Sequence, residues 1–476
     1  MLVVPDTASV FTSPEGAHGL LVVGEGATVS YRSALASLLR GELGNALVHG
    51  GLPGGRPRIS LSHGTGRTTF YVALPPRGRK LHNVVRYPIA VVGPGYHGLL
   101  TSTATHLDGL ISIADVAPSV LSLEAGERPR IRSRASADPL AYLQHFDERM
   151  TRAHDSRTWA TLVVVGLLTV LGLLALTVRQ PLLGRAAFLS APACLSVAVA
   201  LSALGLTRPW QVILVLAIVS SALALAGGAV LRPGLPLAAA VAAVFAFLYA
   251  VMWAKPEWNS LAALGPRPDG GGRFYGVNNQ VSTLLLSPAL VLGALAGTAM
   301  PAVALLVVTG MAASFIGAQA DGLVVYLAGF LVLALRTRGE RPGLVRAGGA
   351  VAVAVAAGLA LVAIDAAFGG SSHITHAVGG GPGTLAGDLA HRIHLSAAFV
   401  VSGWNETLLF FLSLAALVWL ALQRPRLPVL DAFLAAIAVS LIVNDTPTDI
   451  AGLGVLSVLV LWVWLRRSGE RADSLD

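Results

Sequence analysis

Polar and ionisable side chains gather in four short stretches of an otherwise apolar chain. The first contains Lys255-Pro-Glu-Trp-Asn259 and then Pro268-Asp-Gly-Gly-Gly-Arg273-Phe-Tyr-Gly-Val-Asn278-Asn279-Gln280. The second is Gly317-Ala-Gln319-Ala-Asp321-Gly322. The third holds His373, His376, His391, Arg392 and His394 and runs on to Trp404-Asn405-Glu406; the fourth is Asn444-Asp445-Thr-Pro-Thr-Asp449. These residue types handle polar ligands: a guanidinium pairs with an anion, amides donate and accept, and carboxylates accept. In that reading Arg273 contacts an anionic group. Asn278, Asn279, Gln280 and Asp321 orient it, and Asp445, with Asn444 beside it, forms the opposite wall. The competing use of the same groups is helix capping and loop solvation, which suits Asp321 and Asp449. The histidine pairs are spaced three apart, which on a helix could hold a metal. Their flanks are rich in Gly and Ser, so they read as loop or interfacial histidines and no metal ligand is assigned.

Helices must bring these stretches together. From Thr158 onward apolar runs recur between short polar breaks, and a helix needs about 20 such residues to cross the hydrocarbon. The runs predict about eleven transmembrane helices, near 158–178, 186–205, 211–230, 234–254, 281–298, 300–318, 321–335, 346–367, 405–422, 428–444 and 449–465. Their apolar character is all-round, as lipid-facing helices require, and Gly and Ala suit close helix packing.

Orientation follows from arginines in the connections. One set holds Arg179, Arg185, Arg232, Arg336, Arg338, Arg341, Arg346, Arg424, Arg426, Arg466, Arg467 and Arg471; the alternate set holds only Arg208, Lys255, Arg267, Arg273 and Arg392. The first set is therefore expected in the cytoplasm, with the tail 468–476, and residues 1–155 outside. All four polar stretches then fall on the outer side, although the assignment used arginines alone. Residues 1–25 carry no basic stretch followed by an apolar core, as an export signal would. Either the first span translocates the domain, or the natural chain starts upstream of Met1, which is the favoured expectation.

Composition agrees with a bilayer protein: 54% hydrophobic and 12% charged residues, against about 25% charged in an average soluble domain. The net charge of +8 comes almost wholly from Arg, since Lys80 and Lys255 are the only lysines. No basic stripe with interleaved aromatics occurs, so nucleic acid is not an expected partner. The single Cys194 excludes an intrachain disulfide and a Cys-based metal site.

Residues 1–155 read as a polar α/β domain. Strands are expected at 58–62, 68–74 and 87–92, a helix over 30–48 ended by Gly50-Gly51, and a second helix over 111–123. That alternation predicts a mainly parallel sheet, and 138–157 reads as a polar helix running into the first span. Gly50–Gly55 and Gly93–Gly98 fit no phosphate-loop fingerprint and read as turns.

The stretch Tyr87-Pro-Ile-Ala-Val-Val-Gly-Pro-Gly95, then Gly98-Leu-Leu-Thr-Ser-Thr-Ala-Thr-His106, then Asp108-Gly-Leu-Ile-Ser-Ile-Ala-Asp115-Val-Ala-Pro118 resembles the C-terminal part of alkaline-phosphatase-superfamily domains. The resemblance implies a strand, a Gly-rich turn and a helix packed on the sheet. It would also imply two divalent metal ions and a Ser or Thr nucleophile near the start of the domain. Here Asp6-Thr7 is the only matching remnant, and in Leu61-Ser-His63-Gly-Thr-Gly66 a serine stands where the family has an acidic ligand. The expectation is a truncated or degenerate domain without cofactor.

The membrane half, with its Gly-Arg273-Phe-Tyr-Gly segment, its acidic turn at Asp321 and Asn444-Asp445-Thr-Pro-Thr-Asp449, resembles a group of bacterial polytopic proteins that place an alkaline-phosphatase-like domain before the membrane domain. Where those have Gly-Asn-Glu, this chain has Asn278-Asn279-Gln280, which removes a carboxylate. The order of parts is also similar to the ethanolamine-phosphate transferases of GPI-anchor assembly, by architecture only. The expected function is a multi-pass plasma-membrane protein of the cell envelope. It would bind or move a lipid-linked or anionic polar substrate at its outer face, with membrane lipid around it and a non-catalytic cap. A metal-dependent headgroup transferase and a structural scaffold are the alternatives.

Overall fold

In the computed structural model, the described residues are 1–43, 56–59, 67–178, 180–339, a few positions between 348 and 360, 393–394, 396–424, 426–444 and 446–467. The chain divides into two compact units. Residues 1–155 with 266–275 form the first; 156–265 with 276–476 form the second.

The first unit is built on a seven-stranded sheet. Its strands are β1 (Leu2–Val3), β2 (Ala17–Val22), β4 (Thr69–Val72), β6 (Tyr87–Val92), β7 (Gly98–Ser102), β8 (Leu110–Ser112) and β9 (Ile131–Arg134), in the order β1-β4-β6-β2-β7-β9 with β8 also on β2. A separate pair joins β3 (Thr28–Ser30) to β5 (Lys80–His82). The expected mainly parallel sheet is in fact mixed: β1–β4, β2–β7 and β2–β8 are parallel, whereas β2–β6, β4–β6 and β7–β9 are antiparallel. The core is Leu21, Val23, Leu38, Phe70, Ile89, Val91, Leu100 and Ile111 with their neighbours.

Helix α1 (Tyr31–Arg40) begins in a reciprocal Ser30/Ser33 capping box. It ends earlier than the expected 30–48. Gly41 takes the left-handed conformation at φ 70°, and a Cβ there would press on Pro118. Gly50-Gly51, the strand residues 60–62 and His63 lie outside the described residues. The second expected helix starts later, because Leu110–Ser112 is strand β8; a 3-10 turn and α2 (Val116–Glu124) follow.

Helix α3 (Pro139–Val178) is continuous for 40 residues. Its first part is tied to the sheet unit by Arg86, whose Nε meets Asp147 Oδ1 at 2.7 Å and whose Nη2 donates to Thr151 Oγ1 at 2.7 Å. Its later part is the first apolar stretch.

The second unit is helical: α4 (Pro181–Ala203), α5 (Pro209–Val230), α6 (Leu235–Ala254), the short α7 (Pro256–Ser260), α8 (Asn279–Ala296), α9 (Met300–Ala312), α10 (Ala320–Thr337), α11 (Trp404–Leu422), α12 (Pro428–Val443) and α13 (Pro447–Arg467). Pro181, Pro209, Pro428 and Pro447 each start a helix, where a missing N–H is harmless. Seven helical stretches among the described residues are long and apolar enough to cross a membrane, as a multi-pass membrane protein requires. One of them, Asn279–Ala312, is a hairpin: the chain turns at Gly297–Ala299, and Val277 N donates to Gly317 O at 2.8 Å on its return. The return arm is shorter than the expected span 300–318. Helix α9 has 13 residues, about 20 Å at 1.5 Å per residue. Residues 313–319 are irregular, with Ala318 at φ 51° and Gln319 N donating to Met311 O at 2.9 Å. The expected span 346–367 lies largely outside the described residues.

The two ends of this unit differ in chemistry. At one end Arg185 Nε donates to Gly228 O at 2.9 Å, Arg336 Nε lies 2.8 Å from Asp431 Oδ2, and Phe188 stacks on Trp464. The other end carries amides, hydroxyls and carboxylates.

Candidate functional site

At the amide end the N-termini of α8, α10 and α13 meet the C-terminus of α12. Gln319 Nε2 donates to Asn279 Oδ1 at 2.9 Å, and Asn279 Nδ2 donates to Thr446 Oγ1 at 2.9 Å. Gln280 Nε2 reaches Asp449 Oδ2 at 3.3 Å. One dipeptide at the start of α8 therefore links α10 to α13. Two further contacts hold the helices in this register. Tyr326 Oη on α10 donates to Ser282 O on α8 at 2.7 Å. Gly276, at φ 81°, has room only for hydrogen, because a Cβ would overlap the Gly317 carbonyl.

The C-terminus of α12 adds Asn444. Its Nδ2 donates to Ser440 O at 3.1 Å and Ser440 Oγ at 2.8 Å, while its own carbonyl accepts from Ser396 Oγ at 2.7 Å. A carbonyl can only accept, so Ser440 fixes which way the Asn444 amide points. Among the described residues, three buried atoms of the cluster have no hydrogen-bond partner: Gln319 Oε1, Asn444 Oδ1 and Thr448 Oγ1. Their residues are 1%, 2% and 3% exposed. A buried polar atom left unmet costs about 1–3 kcal/mol, so this end of the unit is chemically unsaturated.

The sequence-derived residues separate into groups. Asn279 and Gln280 lie in the linked cluster, and Asn444 stands two residues before Thr446. Asn278 is committed to structure: its Oδ1 accepts from Val281 N at 2.8 Å, capping α8, and its Nδ2 donates to Leu264 O and Gly265 O. Asp321 is half-buried in the first turn of α10, and Asp449 in that of α13, where carboxylates offset the helix dipole. Arg273 belongs to the 266–275 segment of the first unit. Asp445, His373, His376, His391 and Arg392 lie outside the described residues; His394 is exposed on a helical stretch. Sequence reasoning assigned no role to Gln319, Thr446 or Thr448. The first was visible in its motif, but the hydroxyls carried no signal.

In the first unit Asn83, 3% exposed, donates through Nδ2 to Gly24 O, Gly26 O and Gly270 O. It thereby fastens the 266–275 segment, and His154 Nδ1 lies 2.6 Å from Asp269 Oδ2 in the same segment. Nothing in the local sequence marked Asn83. Asp115 is buried against Ser102 Oγ, with Arg130 at 3.6 Å, and burial raises its pKa. His18 and His106 are held below the ordinary histidine range by burial. Asp6 and Thr7 form an exposed turn after β1. Among the described residues no three His, Cys, Asp or Glu side chains converge on a metal position.

No protein-family model matches the chain, and no curated protein or solved structure matches it. The class rests on the fold alone: a chain with a small N-terminal α/β unit and several membrane-length apolar helices.

Proposed function

We propose that this is a multi-pass protein of the bacterial cell envelope that binds a polar, lipid-linked or anionic substrate at the amide end of its helical unit. The amide end faces outward, about eleven helices cross the bilayer, and the α/β unit serves as a non-catalytic cap derived from an alkaline-phosphatase-like domain. The observation that carries this reading is the linked Gln319–Asn279–Thr446 cluster, with buried unmet oxygens on Gln319, Asn444 and Thr448. Polar groups at the end of membrane helices persist where they are paired, wetted or used.

The chemistry sorts the ligand's parts. The N-terminus of α8, capped by the neutral Asn278 amide, attracts an anionic group such as a headgroup phosphate, whereas Asp321 and Asp449 already offset the dipoles of α10 and α13. The unmet oxygens accept from hydroxyl or amine hydrogens on the same headgroup. Asn278 is spent on capping and takes no part; Asp321 and Asp445 border the cluster in sequence.

The test is to purify the full chain from native membranes and extract what remains bound for mass spectrometry. The parent protein is expected to carry a polar or lipid-linked species that Gln319→Ala and Asp449→Ala each deplete several-fold. Identical lipid profiles for parent and variants at equal yield would contradict the proposal.

A further inference from the structure

A cluster of exposed cations lies in the α/β unit, separate from the site in the helices. Strands β3 and β5 pair antiparallel with Ser30 opposite Lys80. This register sets the first turn of α1 beside the turn at Arg77-Gly78 that leads into β5. Between them lies a shallow, widely open surface cleft bordered by Ser30, Tyr31, Arg32, Arg77, Arg79 and Lys80 around Gly78. Four of these seven residues are cations and none is a carboxylate.

The cations are not used elsewhere. None of Arg32, Arg77, Arg79 and Lys80 makes an ion pair among the described residues, and all four are exposed. Like charges this close repel one another, so an anion between them relieves that repulsion. Arg77 is partly ordered in advance: its guanidinium lies 4.9 Å over the Tyr31 ring, and Nη2 is 3.4 Å from the Tyr31 hydroxyl. A guanidinium parked on a ring keeps its outer N–H edge available.

The backbone contributes as well. In the capping box Ser33 N donates to Ser30 Oγ and Ser30 N to Ser33 Oγ. The N–H groups of Tyr31 and Arg32 are the remaining first-turn donors of α1, and both residues border the cleft. A helix N-terminus, a pre-placed guanidinium, two more arginines and a lysine make a donor set suited to tetrahedral phosphate oxygens.

We infer that the Ser30–Arg32/Arg77–Lys80 cleft binds a phosphate group, either of a soluble phosphorylated molecule or of a phospholipid headgroup. The test uses the full chain in nanodiscs of zwitterionic lipid. One arm titrates inorganic phosphate and pyrophosphate by calorimetry at low salt. The other measures co-flotation of the loaded nanodiscs with vesicles containing phosphatidylglycerol, against vesicles of phosphatidylcholine.

Binding in the first arm assigns a soluble source, and binding only in the second assigns a lipid. In either case Arg77→Gln/Arg79→Gln is expected to weaken it at least tenfold. Arg32→Gln/Arg79→Gln, which keeps the Arg77–Tyr31 contact, should do the same at an unchanged melting temperature. Lys255→Gln, in the other unit, should bind as the parent does. No binding in either arm, or equal binding by parent and both double variants, overturns the inference. Gln319→Ala should leave this binding intact, which separates its failure from failure of the helical site.

Discussion

Neighbouring asparagines in one motif have different fates. Asn278 spends both its amide nitrogen and its oxygen on Leu264, Gly265 and Val281. Asn279 reaches across to two other helices. The sequence marks both as amides near a span start, but which of them caps is set by where the backbone turns helical. Buried histidine gives a second residue-level consequence. His18 sits on β2 at 2% exposure, and burial lowers its pKa from 6.5. The unfolded chain therefore takes up a proton that the folded one refuses. Stability conferred by the neutral ring is full above pH 6.5 and is lost as pH falls below it. His18→Leu is expected to flatten the decline in melting temperature of the α/β unit between pH 7 and its acid limit. Parallel pH profiles for parent and variant would refute this.

Secondary elements were most legible where a bilayer dictates them. The expected runs 211–230, 234–254, 405–422 and 428–444 match α5, α6, α11 and α12 to within two residues, because an apolar run in lipid must satisfy its backbone as helix. Elements set by tertiary contact were not legible. Helix α9 stops at Ala312 because the following backbone bonds back to Met311 and to the start of α8. The apolar sequence runs on past that point with no sign of it. The sheet is mixed because connections, rather than strand residues, decide strand direction. In the site, the amides were readable as polar groups in an apolar chain, whereas their linkage through Thr446 was not. The 266–275 segment illustrates the same limit. Gly271, at φ 75°, packs so that a Cβ would overlap the Gly24 carbonyl, beside the Asn83 bond to Gly270. Gly271→Ala is expected to cost about 1–3 kcal/mol. The readouts are a lower melting temperature for the α/β unit and faster trypsin cleavage after Arg273. Unchanged melting and cleavage would show that the segment is not held there.

At the scale of the whole molecule, the helical unit separates its chemistry end from end. Arginines 185, 336, 424 and 466 lie at one end, and the cluster of Asn279, Gln280, Gln319, Asn444 and Asp449 lies at the other. The proposed function takes the arginine-rich connections as cytosolic and the polar cluster as outward-facing, within reach of a headgroup from the outer leaflet. The most direct test of that claim is cysteine accessibility in a Cys194→Ser background. Trp404→Cys at the start of α11 and Arg338→Cys just after α10 are both exposed positions. The account predicts that an impermeant maleimide labels position 404 on intact cells and position 338 only after the membrane is opened. Labelling of 338 on intact cells, with 404 protected until opening, would contradict it.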